Sequence, residues 1–223
     1  IEAFKSIETP FYYYDMDLLK ATLDAVKREA AKYEGFHVHY AIKANFNPRL
    51  LEIISKAGIG ADCVSGGEVR AALNAGVPAD KVVFAGVGKT DKEIAFSLDA
   101  GIFCFNVESV PEIEAIERLA AERGVVAQIA VRVNPNVGAH THANITTGLA
   151  ENKFGVNYEQ LDEVVDVVET MPHLKVVGLH FHIGSQLLVM DDFIALCCRI
   201  NELQELLLET RGLVLPHINV GGG

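Results

Sequence analysis

Short apolar segments alternate with amphipathic segments along nearly the whole chain, and this alternation limits the fold more than any other feature. The apolar segments are rich in Val, Ile and Phe and carry few polar residues on either face. Parallel strands that are covered by helices on both sides have this composition. Seven strands are predicted after an N-terminal helix, at residues 37–42, 61–64, 82–85, 102–107, 127–133, 176–183 and 215–220.

The amphipathic segments place apolar residues near helical spacing and predict the helices between these strands. Asp15 or Asp17 can cap the first helix, and an aromatic run at residues 11–14 before it is typical of a further strand. The predicted helices cover residues 15–33, 48–56, 68–75, 92–100, 111–123, 158–170 and 191–210.

Two α/β folds fit this order of elements. A doubly wound sheet is one, but its G-x-G-x-x-G fingerprint is missing after the first strands. An eight-stranded TIM-type (β/α)8 barrel fits better, here truncated after about seven strands, since such barrels have roughly 250 residues. The sequence begins without Met and ends on three glycines, so we expect it to be part of a longer chain.

Composition argues against several classes of partner. The formal net charge is −11 and no run of Lys or Arg stands out, so we expect neither a nucleic-acid partner nor a membrane partner. No apolar stretch is long enough to span a bilayer, and no leader is recognisable. The four cysteines form no C-x-x-C pair and predict reduced thiols in a cytoplasmic protein.

Polar residues follow the predicted strands at the ends where a barrel of this type carries its chemistry. The carboxyl ends of parallel strands share one edge, so we expect these side chains to face one site. They are Lys43, Asp62, Ser65, Glu68, Lys89, Asn106, Glu108, Arg132, Asn134, His180, His182, Ser185 and the glycines Gly221, Gly222 and Gly223.

Lys43 and the glycine run point to one cofactor. A partly desolvated lysine has a lowered pKa and can attack an aldehyde, whereas a glycine run after a buried strand exposes N–H groups that bind an anion. Facing one cavity, the two suggest pyridoxal 5′-phosphate, held at Lys43 and at its phosphate. Locally, an ordinary surface lysine and a plain turn are also compatible with the sequence.

His180 and His182 lie two residues apart on a predicted strand and therefore face the same way. They could ligate a metal, as in a metal-dependent hydrolase, but no third ligand is evident and we predict no metal site. One imidazole could instead pack on an aromatic cofactor ring. His180, which is deeper in the strand, could also be an ordinary core histidine.

Two further segments contain residues that resemble ligands. The stretch from Gly86 to Thr90 resembles a phosphate-binding P-loop, but the glycine required five positions before Gly88 is Val83. A long connection at residues 134–155 contains His140 and His142. Loops of this length are usually functional or disordered. Two loop histidines are more often solvated than ligands, so substrate contact or an ordered lid is the alternative here, and we predict no metal.

Nine short motifs, in order, resemble the fold-type III pyridoxal-phosphate decarboxylases, and most closely the diaminopimelate branch. The resemblance covers almost the whole chain and implies a barrel of the alanine racemase and ornithine decarboxylase type. The motifs are TPF at 9–11, YAIKAN at 40–45, DCVSGGE at 62–68, GVGKT at 86–90, FNVES at 105–109, RVNP at 132–135, TGLAENKFG at 147–155, HFHIGSQ at 180–186 and GGG at 221–223.

The resemblance implies a role for each site residue. Lys43 would bind pyridoxal phosphate covalently, and His182 would stack on its ring. Ser185 and the backbone of Gly221, Gly222 and Gly223 would bind its phosphate. Asp62 and Arg132 would be polar residues on the cofactor side, and Glu68 a supporting one.

The resemblance also implies parts that lie beyond Gly223. These are an acidic partner for the pyridine nitrogen, a cysteine proton donor, substrate-binding residues and a C-terminal β-domain. Residues 1–15 would be a strand segment belonging with that domain, and residues 16–223 the incomplete cofactor-binding barrel. The whole protein would be a homodimer with shared active sites, and the fragment alone would be inactive.

The implied reaction is decarboxylation of meso-2,6-diaminopimelate to L-lysine and CO2, the last step of lysine biosynthesis. Decarboxylases of ornithine and arginine share the barrel and the lysine and remain an alternative. A relative that binds pyridoxal phosphate without catalysis is a second alternative, and the metal-dependent hydrolase with His180 and His182 a third.

Overall fold

All seven predicted strands form, and they lie side by side in chain order in one parallel sheet. The computed structural model describes residues 2–137 and 154–222. An eighth strand of two residues was not predicted and pairs with the end of the fifth. The strands are β1 (His39–Ala41), β2 (Gly60–Cys63), β3 (Val82–Phe84), β4 (Cys104–Val107), β5 (Ala127–Asn134), β6 (Val156–Asn157), β7 (Leu174–His180) and β8 (His217–Asn219).

The sheet has the order β1-β2-β3-β4-β5-β7-β8, which is that of a barrel not yet closed. Among the described residues, β1 pairs only with β2 and β8 only with β7, so the interior is open between these two edges. The prediction of a truncated barrel is confirmed in this arrangement.

The predicted helices also form, each within a few residues of its expected ends. Asp15 caps the first by accepting the backbone N–H groups of Asp17 and Leu18. Thr90 and Glu93 form a reciprocal capping box at the fourth. The helices are α1 (Met16–Ala30), α2 (Pro48–Lys56), α3 (Gly66–Asn74), α4 (Asp91–Ala100), α5 (Val110–Arg123), α6 (Leu161–Glu169) and α7 (Met190–Arg211).

Side chains alternate across the sheet, and the two faces differ in kind. The outer face packs against the helices and contains the largest buried side chains, among them Phe84 and Phe105. The inner face begins with small apolar residues such as Val83 and Ala130 and becomes polar toward the carboxyl ends. The alternation therefore gives one face to the core and the other to the barrel interior.

The strand predicted at residues 11–14 does not form, and this prediction is wrong for the described structure. A 3-10 helix at Glu2–Ser6 precedes this segment, which has no strand hydrogen bonds, and Tyr12 is 89% exposed. A strand needs the backbone of a partner, and none lies beside it among residues 2–137 and 154–222. The pairing of residues 1–15 with a further domain stays a prediction.

The long connection predicted at residues 134–155, with His140 and His142, lies mainly outside the described residues. No helix in the described part of the chain is long and apolar enough to cross a membrane.

Replacing Gly178 by Ala should destabilise the sheet by about 3 kcal/mol, as overpacking of a tight site does. Gly178 pairs with His217 across β7 and β8, and a Cβ there would overlap the His217 carbonyl. Gly67→Ala is the matched control, because its Cβ would meet only the Ser65 Oγ at 3.6 Å and alanine favours the helix. Urea unfolding followed by circular dichroism measures both, and equal free energies of unfolding would contradict the expectation.

Candidate active site

One cavity of about 2280 Å³ occupies the interior of the sheet, and the predicted site residues meet in it. It exceeds the roughly 1,000 Å³ of large ligand pockets because it runs the length of the open barrel. Gly223 lies outside the described residues. The other seven residues that were assigned to the cofactor all line the cavity: Lys43, Asp62, Arg132, His182, Ser185, Gly221 and Gly222. Of the further strand-end residues expected at this site, Glu108, Asn134 and His180 line it, whereas Ser65, Glu68, Lys89 and Asn106 do not.

Lys43 projects into this cavity from a turn directly after β1. The strand ends at Ala41, and residues Ile42–Ala44 form a 3-10 turn. Ile42 is buried and anchors the turn to the core, whereas Lys43 is exposed. The turn closes with a hydrogen bond from Asn45 N to the Ile42 carbonyl, 3.1 Å long. A buried neighbour and a fixed turn thus hold the lysine stem while its amine stays accessible.

Asp62 lies on the inner face of β2, beside β1. Burial raises the pKa of its carboxyl to about 6, the nearby charge of Lys43 opposes the rise, and the Glu68 carboxylate adds to it. Glu68 is itself fixed, since its Oε2 accepts the Val64 N–H at 2.8 Å. A carboxyl that titrates near neutral pH can exchange a proton with a ligand in this cavity.

Arg132 lies near the end of β5 on the same inner face and pairs with Glu108, which follows β4. Its Nη1 donates to Glu108 Oε1 at 2.9 Å, and its guanidinium lies 5.4 Å from the centre of the Phe154 ring. Glu108 Oε1 also accepts the Gly86 N–H at 3.2 Å. The guanidinium therefore stands at the cavity wall with its direction set by one carboxylate.

His180 and His182 both lie on the inner side at the end of β7, but at different depths. His180 is 7% exposed, and its Nδ1 has no hydrogen-bond partner among the described residues. Burial, reinforced by the charge of Arg132, lowers the pKa of both imidazoles, that of His180 farther. His182 is therefore a neutral ring at the cavity wall. His180 is buried, but it also lines the cavity and its Nδ1 is unsatisfied among the described residues, so it is not the ordinary core histidine that one interpretation of the sequence expected.

The described residues contain no group of three or more His, Cys, Asp or Glu side chains placed to hold a metal ion. His180 and His182 therefore have no third ligand within residues 2–137 and 154–222.

Ser185, Gly221 and Gly222 line the cavity after the carboxyl ends of β7 and β8. Gly221 has φ +73°, and a Cβ there would come within 2.5 Å of the Phe181 carbonyl. The Gly221 N–H already donates to Asn219 Oδ1 at 2.8 Å, so it is engaged within the protein. Gly222 has open space around its Cα, and we therefore expect an anion to contact the backbone there. Close approach of the β8 backbone to β7 is what requires glycine at 221.

These groups together fit pyridoxal phosphate. An accessible amine, a neutral imidazole and an opening between a serine and a glycine backbone all face one cavity. The amine can bind the aldehyde of this cofactor, the imidazole can pack on its aromatic ring, and the serine and glycine backbone can bind its phosphate.

The sequence model of the pyridoxal-binding domain of the pyridoxal-dependent decarboxylases matches residues 19–223. The chain belongs to this family. The resemblance stated on nine sequence motifs is thereby confirmed, and so is the fold that it implied.

Individual members of the family agree along the whole chain. The chain is 61% identical to the diaminopimelate decarboxylase of Bacteroides thetaiotaomicron over 223 residues, which are 58% of that protein. The diaminopimelate decarboxylase of Helicobacter pylori, solved with L-lysine, superimposes with a TM-score of 0.91 at 40% identity, over all of this chain and 56% of that one. The corresponding enzyme of M. jannaschii, also solved with L-lysine, gives 0.90 at 38%, over 100% and 52%.

The chain thus spans about half the length of the curated relatives it matches. Its alignment includes the pyridoxal-binding domain of this family and leaves the remainder of those proteins unmatched.

Sequence reasoning missed one residue that bears on the site, Glu112. It lies in the first turn of α5, where its Oε2 accepts the Glu108 N–H at 2.8 Å. Its Oε1 accepts from Lys89 at 2.6 Å. The spacing of four residues between Glu108 and Glu112 is a signal that could have found it.

Replacing Asp62 by Asn should remove a decline of stability with pH. The pKa of the folded carboxyl, about 6, lies above the ordinary 3.8, so the protonated form is favoured in the fold. Its contribution to stability is complete below about pH 4 and is lost as the pH rises through 6. Asp62→Asn should therefore gain about 2 kcal/mol over the unmodified protein between pH 4.5 and 7, discounted for partial exposure.

Urea unfolding of the cofactor-free protein at both pH values measures this gain. Asp24→Asn is the control, because Asp24 is exposed on α1. A stability difference for Asp62→Asn that is the same at both pH values would refute the raised pKa.

Proposed function

We propose that the full-length protein carrying this chain decarboxylates meso-2,6-diaminopimelate to L-lysine and CO2, using pyridoxal phosphate. The observation that carries this proposal is the 61% identity with a diaminopimelate decarboxylase along every residue of the chain. Two structures that share this fold at 38% and 40% identity were solved with L-lysine, the product of that reaction. The cavity supports it, because the residues assigned to the cofactor, Lys43, His182 and Ser185 among them, all line it.

Lys43 is assigned the covalent contact. Its Nζ would hold the cofactor covalently at the aldehyde group, which is also the group with which a substrate amine would react. The nearby charge of Lys43 opposes the rise that burial causes in the pKa of the Asp62 carboxyl, so the two groups lie close enough to interact. When bound, the cofactor supplies an electron sink in its pyridine ring for the pair that CO2 leaves behind.

Three other groups are assigned to orientation. His182, neutral and half-buried, packs its ring on the cofactor ring. Ser185 and the backbone of the glycine run Gly221, Gly222 and Gly223 would hold the phosphate. Arg132 supplies a fixed positive charge on the wall of the cavity.

The organisation of the whole protein is proposed on the same basis. Residues 16–223 are the cofactor-binding barrel, and residues 1–15 belong with a C-terminal β-domain that follows it. The protein is a cytoplasmic homodimer whose active sites are shared between subunits. The exposure of Tyr12 and Tyr13 supports a further packing partner for the N-terminal segment.

CO2 release by the full-length protein tests the activity. With pyridoxal phosphate present, meso-diaminopimelate, ornithine and arginine are offered separately, and we expect release from meso-diaminopimelate. Lys43→Ala should lower the rate more than about a hundredfold, because no other amine takes over the covalent contact. Lys92→Ala, a change of the same charge at an exposed position of α4, should leave the rate unchanged.

CO2 release from ornithine or arginine alone would agree with the proposed cofactor chemistry but would contradict meso-diaminopimelate as the substrate. Bound cofactor with no release from any of the three would replace the enzyme by a binding protein. Equal losses in the Lys43 and Lys92 variants would remove Lys43 from its assigned role.

A further inference from the structure

Four charged side chains form a buried row that begins inside the protein and reaches the cavity wall, and the proposed reaction uses only one of them. Lys89 lies between β3 and α4, Glu108 follows β4, Glu112 lies in the first turn of α5 and Arg132 lies near the end of β5. Their side chains are 1%, 4%, 11% and 13% exposed in that order. Charges are buried at this depth only when they are paired, so the row requires an explanation.

The row is continuous from Lys89 to Arg132. Lys89 Nζ donates to Glu112 Oε1 at 2.6 Å, and Glu112 Oε2 accepts the Glu108 N–H at 2.8 Å. Glu108 Oε1 then accepts Arg132 Nη1 at 2.9 Å. Each carboxylate joins one neighbour to the next, and the last neighbour stands at the cavity wall.

Lys89 is fixed at the start of the row rather than free to bind a phosphate. Besides Glu112, its Nζ donates to the carbonyls of Gly86 and Asn106, both at 2.8 Å. These three bonds use all three donors of an ammonium group. The sequence already excludes a P-loop here and indicates a loop at the end of a strand, and in the structure the amine of that loop points into the protein.

Glu108 has a different character from the other three. Its backbone N–H and its Oε1 are both engaged, yet Oε2 is buried and has no partner among the described residues. A carboxylate placed only for stability would have both oxygens satisfied. Oε1 of Glu108 binds the Arg132 guanidinium, whereas Oε2 has no partner among the described residues. This arrangement is consistent with a residue that orients a guanidinium beside a ligand site.

We propose that Glu108 is a positioning residue for Arg132, and that the Lys89–Glu112 pair fixes Glu108 in turn. The inference rests on the proposed function, because it assigns Arg132 to the wall of the pyridoxal phosphate site. An arginine side chain has many rotamers, and a carboxylate that selects one before the ligand arrives removes that ordering cost from binding. Glu108 thereby strengthens cofactor binding through the orientation of Arg132.

A double-mutant cycle on the full-length protein tests this role. The affinity for pyridoxal phosphate is titrated by the absorbance of the bound cofactor in Glu108→Gln, Arg132→Gln and the double variant. Glu108→Gln alone should weaken binding about tenfold. In the Arg132→Gln background the same change should have little further effect, because residues that act through one another are not additive.

Glu114→Gln is the matched control. Glu114 lies on α5 two residues beyond Glu112, is exposed, and loses the same charge. Its variant should bind the cofactor as the unmodified protein does.

A Glu108 effect of full size in the Arg132→Gln background would overturn the proposal, as would unchanged affinity in Glu108→Gln. If Glu108→Gln does not fold, Glu108→Asp replaces it in the cycle, because it keeps the charge and shortens the reach to Arg132. The cycle requires no substrate, so it can be evaluated when diaminopimelate yields no CO2. That result would refute the proposed function alone.

Discussion

Parallel pairing of strands in chain order is the constraint on which the rest of this structure depends. It brings the end of every strand to one edge, so residues as distant in sequence as Lys43 and Gly222 line the same cavity. The register then decides which side chains face inward. Arg132 stands opposite His180, and Asn106 opposite Ala130, all on the inner face. A shift of one residue would turn the polar set into the helix layer.

The charges of the site contrast with those of the molecule. The chain carries a formal net charge of −11, yet the cavity wall presents Lys43 and Arg132, with both nearby histidines kept neutral by burial. Asp62 and Glu108 also line the cavity, and Glu108 and Glu112 are engaged by Arg132 and Lys89. A ligand in the cavity thus meets fixed charges of both signs on a protein that is negative as a whole.

The sequence predicted what depends on local periodicity and on strand ends. Seven strands, seven helices and the shared location of Lys43, Asp62 and His182 follow from apolar spacing and from the geometry of parallel sheets. It failed at Phe11–Tyr14, because aromatic content indicates a strand but cannot supply a partner. It could not show that Lys89 points inward, because the partners Gly86, Asn106 and Glu112 come from separate elements. Raised or lowered pKa values are likewise beyond sequence, since burial causes them.

The two-residue strand β6 has a consequence for how the end of β5 is held. It pairs Val156 with Val133 and Asn157 with Asn134, immediately after Arg132. Gly155, at φ +91°, approaches the Arg132 carbonyl too closely for any side chain there. The chain that returns from the connection after β5 therefore pairs with β5 through Val156 and Asn157 before it continues to α6. This pairing fixes the strand end that carries Arg132 from the returning side of the chain as well.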